Sequence, residues 1–159
     1  MTETSELAKL ANAQIHAGEV DLERLHAIRD LILVDRVIDD HEVDIMRRMI
    51  LSTRPKTSHA VKRAEIEILF ELNEATMGKR NDEKWKAFFI EAITLHLLND
   101  DVSSGIVDEA EAHWLIQMIE RDSQYDANEI ALLEHIQATA KEIPMSVKFR
   151  LGLILAINL

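Results

Sequence analysis

The chain has 159 residues, 47% hydrophobic and 30% charged, with only 4 Gly, 2 Pro and no Cys. A chain of this length can bury a core without disulfides or a structural metal, and its composition excludes a disordered, collagen-like or turn-rich β-protein. Eighteen basic against 29 acidic residues leave a formal charge of −11, the wrong sign for neutralising phosphates, so no nucleic-acid partner is expected and cations or basic partners are the natural counterparts.

Apolar residues recur at three- and four-residue spacing almost throughout, without sustained alternation, which predicts an all-α chain of seven or eight helices in a single compact domain. The first helix carries Leu7, Leu10, Ala11, Gln14 and Ile15 and ends near Gly18. A second starts at Asp21, presents Leu22, Leu25, Ile28, Leu31 and Ile32 on one face, and runs to about Asp35. The third follows Asp39, buries Val43, Met46, Met49 and Ile50, and stops at Ser52-Thr53-Arg54-Pro55, because the residue before proline avoids the helical region. The fourth, from about Ser58 to Gly78, carries Val61, Ile66, Leu69, Phe70 and Leu72. Asn81-Asp82 opens a fifth with Trp85, Phe88, Phe89, Ala92, Ile93 and Leu97. A sixth runs from Asp108 through Trp114, Leu115, Met118 and Ile119, and a seventh from Asp126 uses Ile130, Leu133, Ile136 and Ala140. The eighth follows Pro144, a residue suited to the first helical turn.

The apolar run Leu151 to Ile157 is far short of the roughly 20 residues that span a bilayer, so no transmembrane segment is expected and the run is a core helix or a contact surface. The acidic start Met1-Thr2-Glu3-Thr4-Ser5-Glu6 lacks the pattern of a secretory signal, and a cytoplasmic location is expected. Charge is uneven: residues 47–86 hold ten basic and six acidic residues, so the net −15 lies outside them.

An eight-residue pattern recurs at three helix starts: residues 35–42 read D-R-V-I-D-D-H-E, residues 104–111 S-G-I-V-D-E-A-E, and residues 122–129 D-S-Q-Y-D-A-N-E. Each has an apolar or aromatic fourth residue, Asp fifth and Glu eighth. The pairs Asp39/Glu42, Asp108/Glu111 and Asp126/Glu129 have the spacing of capping boxes, with Ile38, Val107 and Tyr125 as apolar staples. Amphipathic helices before and after the first two copies make a duplicated helix-loop-helix unit the simplest account, with halves at about 20–77 and 82–142.

Capping alone does not explain the further acids. Asp35, Asp39, Asp40, Glu42 and Asp44 crowd the first loop, and Asp100, Asp101, Asp108, Glu109 and Glu111 the second. Like charges this close call for a cation or solvent to screen them, and oxygen-rich loops suit hard cations. With Gly105 at the glycine position of an EF-hand, Asp100, Ser104, the Ile106 carbonyl, Asp108 and Glu111 fall on ligand positions and Val102 does not; the first loop matches only in its second half.

On Asp35 to Glu42 and Ser104 to Glu111, the chain resembles the tellurite-resistance TerB-like family over residues 20–142. Its members carry an Asp-Gly, an apolar residue and a Glu at this spacing in two related halves. The resemblance implies two similar three-helix halves and an acidic site thought to bind metal, linked to metal and stress responses. Asp35 and Glu42 match the first motif, Gly105 and Glu111 the second; Arg36 stands where the family has the first glycine, and Ser104 where it has the second aspartate.

Other chemistry is poorly represented. Glu23 and His26 form one Glu-x-x-His without the second pair that a di-iron bundle needs, and His41 lacks the partner of a zinc-protease motif. His113, one turn after Glu109, could join a site at the second loop but reads more simply as a surface residue, and His96 as a partly buried structural one. There is no nucleophile elbow, P-loop or dinucleotide fingerprint, so no enzyme is expected. Two readings follow. One is a TerB-like domain binding a divalent cation through Asp35, Asp39, Glu42, Asp108 and Glu111. The other is an interaction module whose acids only cap helices and whose segment Phe149 to Leu159 forms a homodimer or docks a protein partner.

Overall fold

The computed structural model describes residues 2–16, 21–51, 59–98, 105–121 and 125–157. These form eight α-helices: α1 (Thr2–His16), α2 (Leu22–Ile32), α3 (Asp40–Leu51), α4 (His59–Ala75), α5 (Glu83–Leu98), α6 (Glu109–Glu120), α7 (Ala127–Thr139) and α8 (Met145–Ile157). A 3-10 turn, Leu33–Asp35, follows α2. No strand occurs among the described residues; one isolated bridge joins Ile106 to Glu142. The fold is all-α. The helix ends expected at Gly18, at Ser52 to Pro55 and at Ser58, the front of the second acidic loop from Asp100 to Ser104, and the first residues of the third repeat lie outside the described residues.

Contacts divide the chain into two compact units, residues 1–92 and 93–159, so the division falls within α5. In the first, α1 packs on α2 and α3, and α2 on α4. Its core holds Leu25, Ile28, Ile32, Met46, Met49 and Leu69, together with an aromatic cluster. Phe70 meets Phe89 edge-on at 5.5 Å. The buried Trp85 lies 5.7 Å from Phe89 and donates its indole N–H to Asn73 Oδ1 at 3.3 Å. Gln14, on the apolar face of α1, is fully buried because its amide is used twice. Its Nε2 donates to the equally buried Glu65 at 2.9 Å, and its Oε1 accepts from Arg24 at 3.2 Å.

The second unit is centred on Leu97, Leu115, Ile119, Leu132, Leu133 and Leu151, with α7 against α8. His96 is half-buried and meets Trp114 edge-on at 5.5 Å.

Departures from the predicted elements have local causes. Leu22 is 57% exposed because it is the first residue of α2, ahead of the turn that faces the core. The expected run of α2 to Asp35 tightens into the 3-10 turn and is stopped by Arg36, whose φ of 63° is left-handed. Ala140 is not on α7 but follows it as an extended C-cap.

The repeated sequence pattern has a counterpart in the loops that lead into α3 and α6. At the second position of the repeat, Arg36 (φ 63°) and Gly105 (φ 81°) both adopt the left-handed conformation. Each turns its N–H back toward the preceding helix, Arg36 to the Leu33 carbonyl at 3.1 Å and Gly105 to the Leu98 carbonyl at 2.7 Å. Each loop then docks through its backbone on a segment that precedes a later helix, α5 for the first loop and α8 for the second. Ile38 donates to Asn81 Oδ1 and accepts from the Asp82 N–H, both at 2.8 Å. Val107 donates to the Glu142 carbonyl at 3.0 Å, and Gly105 accepts from the Lys141 N–H at 2.7 Å. The staple residues Ile38 and Val107 are buried beneath these contacts; Tyr125 is half-buried.

Candidate functional site

All three Asp/Glu pairs form reciprocal caps. Asp39 Oδ1 accepts from the Glu42 N–H at 2.8 Å, and Glu42 Oε1 accepts from the Asp39 N–H at 3.0 Å. The same exchange joins Asp108 to Glu111 at 2.7 and 3.2 Å, and Asp126 to Glu129 at 2.8 and 3.1 Å. Each box satisfies two helix-start donors, and each carboxylate lies at the positive end of a helix dipole. Glu111 and Glu129 are buried, a position a carboxylate tolerates only when hydrogen-bonded.

The five residues proposed from sequence as cation ligands therefore fall into two capping pairs plus Asp35. That residue is exposed at the end of the 3-10 turn, and its Oδ1 accepts from the Val37 N–H at 3.2 Å. Among the described residues, no group of three or more His, Asp or Glu side chains is placed to hold a metal ion. As arranged, the described carboxylates do not form a cation shell.

The first loop has a different source of positive charge. Lys84, in the first turn of α5, places Nζ 2.5 Å from Asp40 Oδ1 and 3.9 Å from Asp44 Oδ1. Asp40, through hydrogen bond and charge, with Asp44 adding to it, raises the Lys84 pKa above its ordinary value. Because the folded state holds this proton more tightly than the unfolded chain, the pair's contribution is present below the ordinary lysine range and fades as pH rises through the raised pKa. Sequence reading missed Lys84 because it lies 44 residues from Asp40. The docking of Ile38 on Asn81 and Asp82, and the fork of Arg47 of α3 onto Glu91 of α5, bring the two segments together.

A second feature lies on α8. Val147, Leu151 and Ile154 face the core, while Met145 (77% exposed), Phe149 (72%), Leu153 (49%) and Ile157 (78%) form a row at four-residue spacing on the other side. Beside the row, α6 and α8 enclose a groove of about 490 Å³, lined by Ala112, Ile116, Val147, Phe149 and Leu153 with Glu109 at its edge. Arg150 ties the two helices by forking onto Glu120, with Nε donating to Oε1 at 2.6 Å. Glu120 raises the Arg150 pKa. His113 is exposed on the wall of this groove. Of the C-terminal run, α8 buries one apolar face in the core and leaves the other exposed.

No described helix is long and apolar enough to cross a membrane. The class defined at this point is an all-α protein with capped helix starts and an exposed apolar helix face. Comparison with protein-family models, with curated proteins and with solved structures gives no match.

Proposed function

We propose that this protein is a non-enzymatic interaction module that recognises a helical partner through the outer face of α8 and the adjoining α6–α8 groove. One observation carries the reading: four large apolar side chains, Met145, Phe149, Leu153 and Ile157, exposed in a single row. Contiguous exposed apolar surface of this kind marks contact sites, and i, i+4 spacing is the pattern of helix-on-helix recognition. In this reading the acidic loops are structural: their Asp and Glu residues start helices, and Lys84 screens the first loop.

The test is a selection of displayed helical peptides against the folded chain, followed by affinity measurement. Selected peptides should lose at least about tenfold in affinity for Phe149→Glu, equivalent to about 1.4 kcal/mol. A selection that yields no peptide sensitive to this change would overturn the reading.

A further inference from the structure

We propose, resting on that reading of α8, that Met145 is a site of reversible oxidation at which a hydroperoxide switches off binding to the outer face of this helix. The chain has six Met and no Cys, so its sulfur chemistry is thioether chemistry. Burial ranks the described methionines: Met46, Met49 and Met118 are buried, Met77 is half-buried just beyond α4, and Met145 is 77% exposed. An oxidant reaches the buried three only through an opening of the core, whereas Met145 meets it in the native state. The step is a two-electron oxidation of sulfur. A sulfur lone pair of Met145 attacks one peroxide oxygen, the O–O bond breaks as the S–O bond forms, and proton transfer lets the other oxygen leave as water, or as an alcohol from an organic hydroperoxide. Sulfur is oxidised to the sulfoxide, the peroxide is reduced, and methionine sulfoxide reductases reverse the change.

The cost of the sulfoxide falls on binding and not on the fold. Met145 opens the exposed apolar row, one turn ahead of Phe149. Its side chain takes no part in the bonds that start the helix, where the N–H groups of Val147 and Lys148 both donate to the Pro144 carbonyl at 3.0 Å. Oxidation there leaves the core and the helix start as they are, and in the free chain the new S–O dipole stays in water. A partner seated on the row has to strip that water and offers apolar contact in return, so the penalty is confined to the complex. Oxidation of Met46 or Met49 would instead place the same dipole in the core of the first unit and damage the fold. Covering works in the other direction as well, because a bound partner shields the Met145 sulfur from peroxide.

The test exposes the full chain to hydrogen peroxide, removes the peroxide, and follows each methionine by peptide mass spectrometry and the fold by circular dichroism. Met145 should be converted at least about tenfold faster than Met46, Met49 and Met118, with helicity unchanged. The chain oxidised at Met145 should bind a Phe149-dependent peptide from the selection, itself free of Met and Cys, at least about fivefold more weakly than the untreated chain. Treatment with the reductases should restore the affinity, and saturating peptide should protect Met145 during exposure. Met145→Leu, which keeps Met1 and Met77, should show the same affinity before and after peroxide, whatever its starting value. The proposal is overturned if Met145 reacts no faster than the buried methionines, if its sulfoxide binds as the untreated chain does, or if peroxide weakens Met145→Leu to the same degree. If the selection yields no Phe149-dependent peptide, the interaction reading falls and the switch with it; if such peptides bind equally before and after oxidation, the switch alone falls.

Discussion

Replacing Asp39, Asp108 and Asp126 together with alanine is expected to lower the unfolding free energy by about 3 kcal/mol, whereas the same three changes to asparagine should cost no more than about 0.5 kcal/mol at each site. The arithmetic rests on the three boxes serving separate helices, α3, α6 and α7, and sharing no partner among their capping bonds, so that losses of about 1 kcal/mol each add. Alanine leaves the N–H groups of Glu42, Glu111 and Glu129 without their acceptor; asparagine keeps an oxygen there and removes only the charge. Denaturant titration of the two triple variants reads the difference. The pair also separates the two roles assigned to these acids from sequence. A cation ligand set would be impaired by asparagine, and a melting-temperature rise on adding Ca²⁺, Mg²⁺, Mn²⁺ or Zn²⁺ to the wild type, lost in the asparagine variant, would show that the loops do more than cap.

The second large effect is a pair of opposite signs at equivalent positions. Gly105→Val is expected to destabilise by about 2 kcal/mol, because a β-branched residue is forced to a φ near 81°. Crowding adds little, since the nearest atoms a Cβ would meet, at 3.0 to 3.3 Å, belong to the flexible and exposed Lys141 side chain. Arg36→Gly should instead stabilise by about 0.5 to 1 kcal/mol, the left-handed penalty relieved less the greater chain entropy of glycine. Thermal melts of both variants check the signs. Two losses, or no gain at Arg36, would mean that the turns are not equivalent.

Legibility from sequence followed the range of the interaction. The starts of α3, α6 and α7 were readable to within one residue because a cap is made within four positions, and Pro144 marked α8 equally well. Periodicity identified the buried faces, with Leu22 misassigned because an end residue escapes the face that its helix presents. The matching capping boxes were readable at Asp39/Glu42 and Asp108/Glu111. The shared backbone turn at Arg36 and Gly105 was hidden by the arginine, since glycine is the residue that signals a positive φ. Lys84 on Asp40 and the cross-helix fork from Arg150 to Glu120 depend on tertiary placement, and no local pattern announces them. For α8, an apolar run could not say which side would stay uncovered; that depended on where α6 and α7 lie.

The segments between helices hold one another by main-chain bonds, from Ile38 to Asp82 and from Gly105 and Val107 to Lys141 and Glu142. Amide protons of Asp82, Val107 and Lys141 should therefore exchange with solvent as slowly as those inside neighbouring helices, although none belongs to a helix. Segments that look like linkers are then parts of the cooperative folding unit. Their exposed side chains are free to vary, while their length and backbone path are fixed.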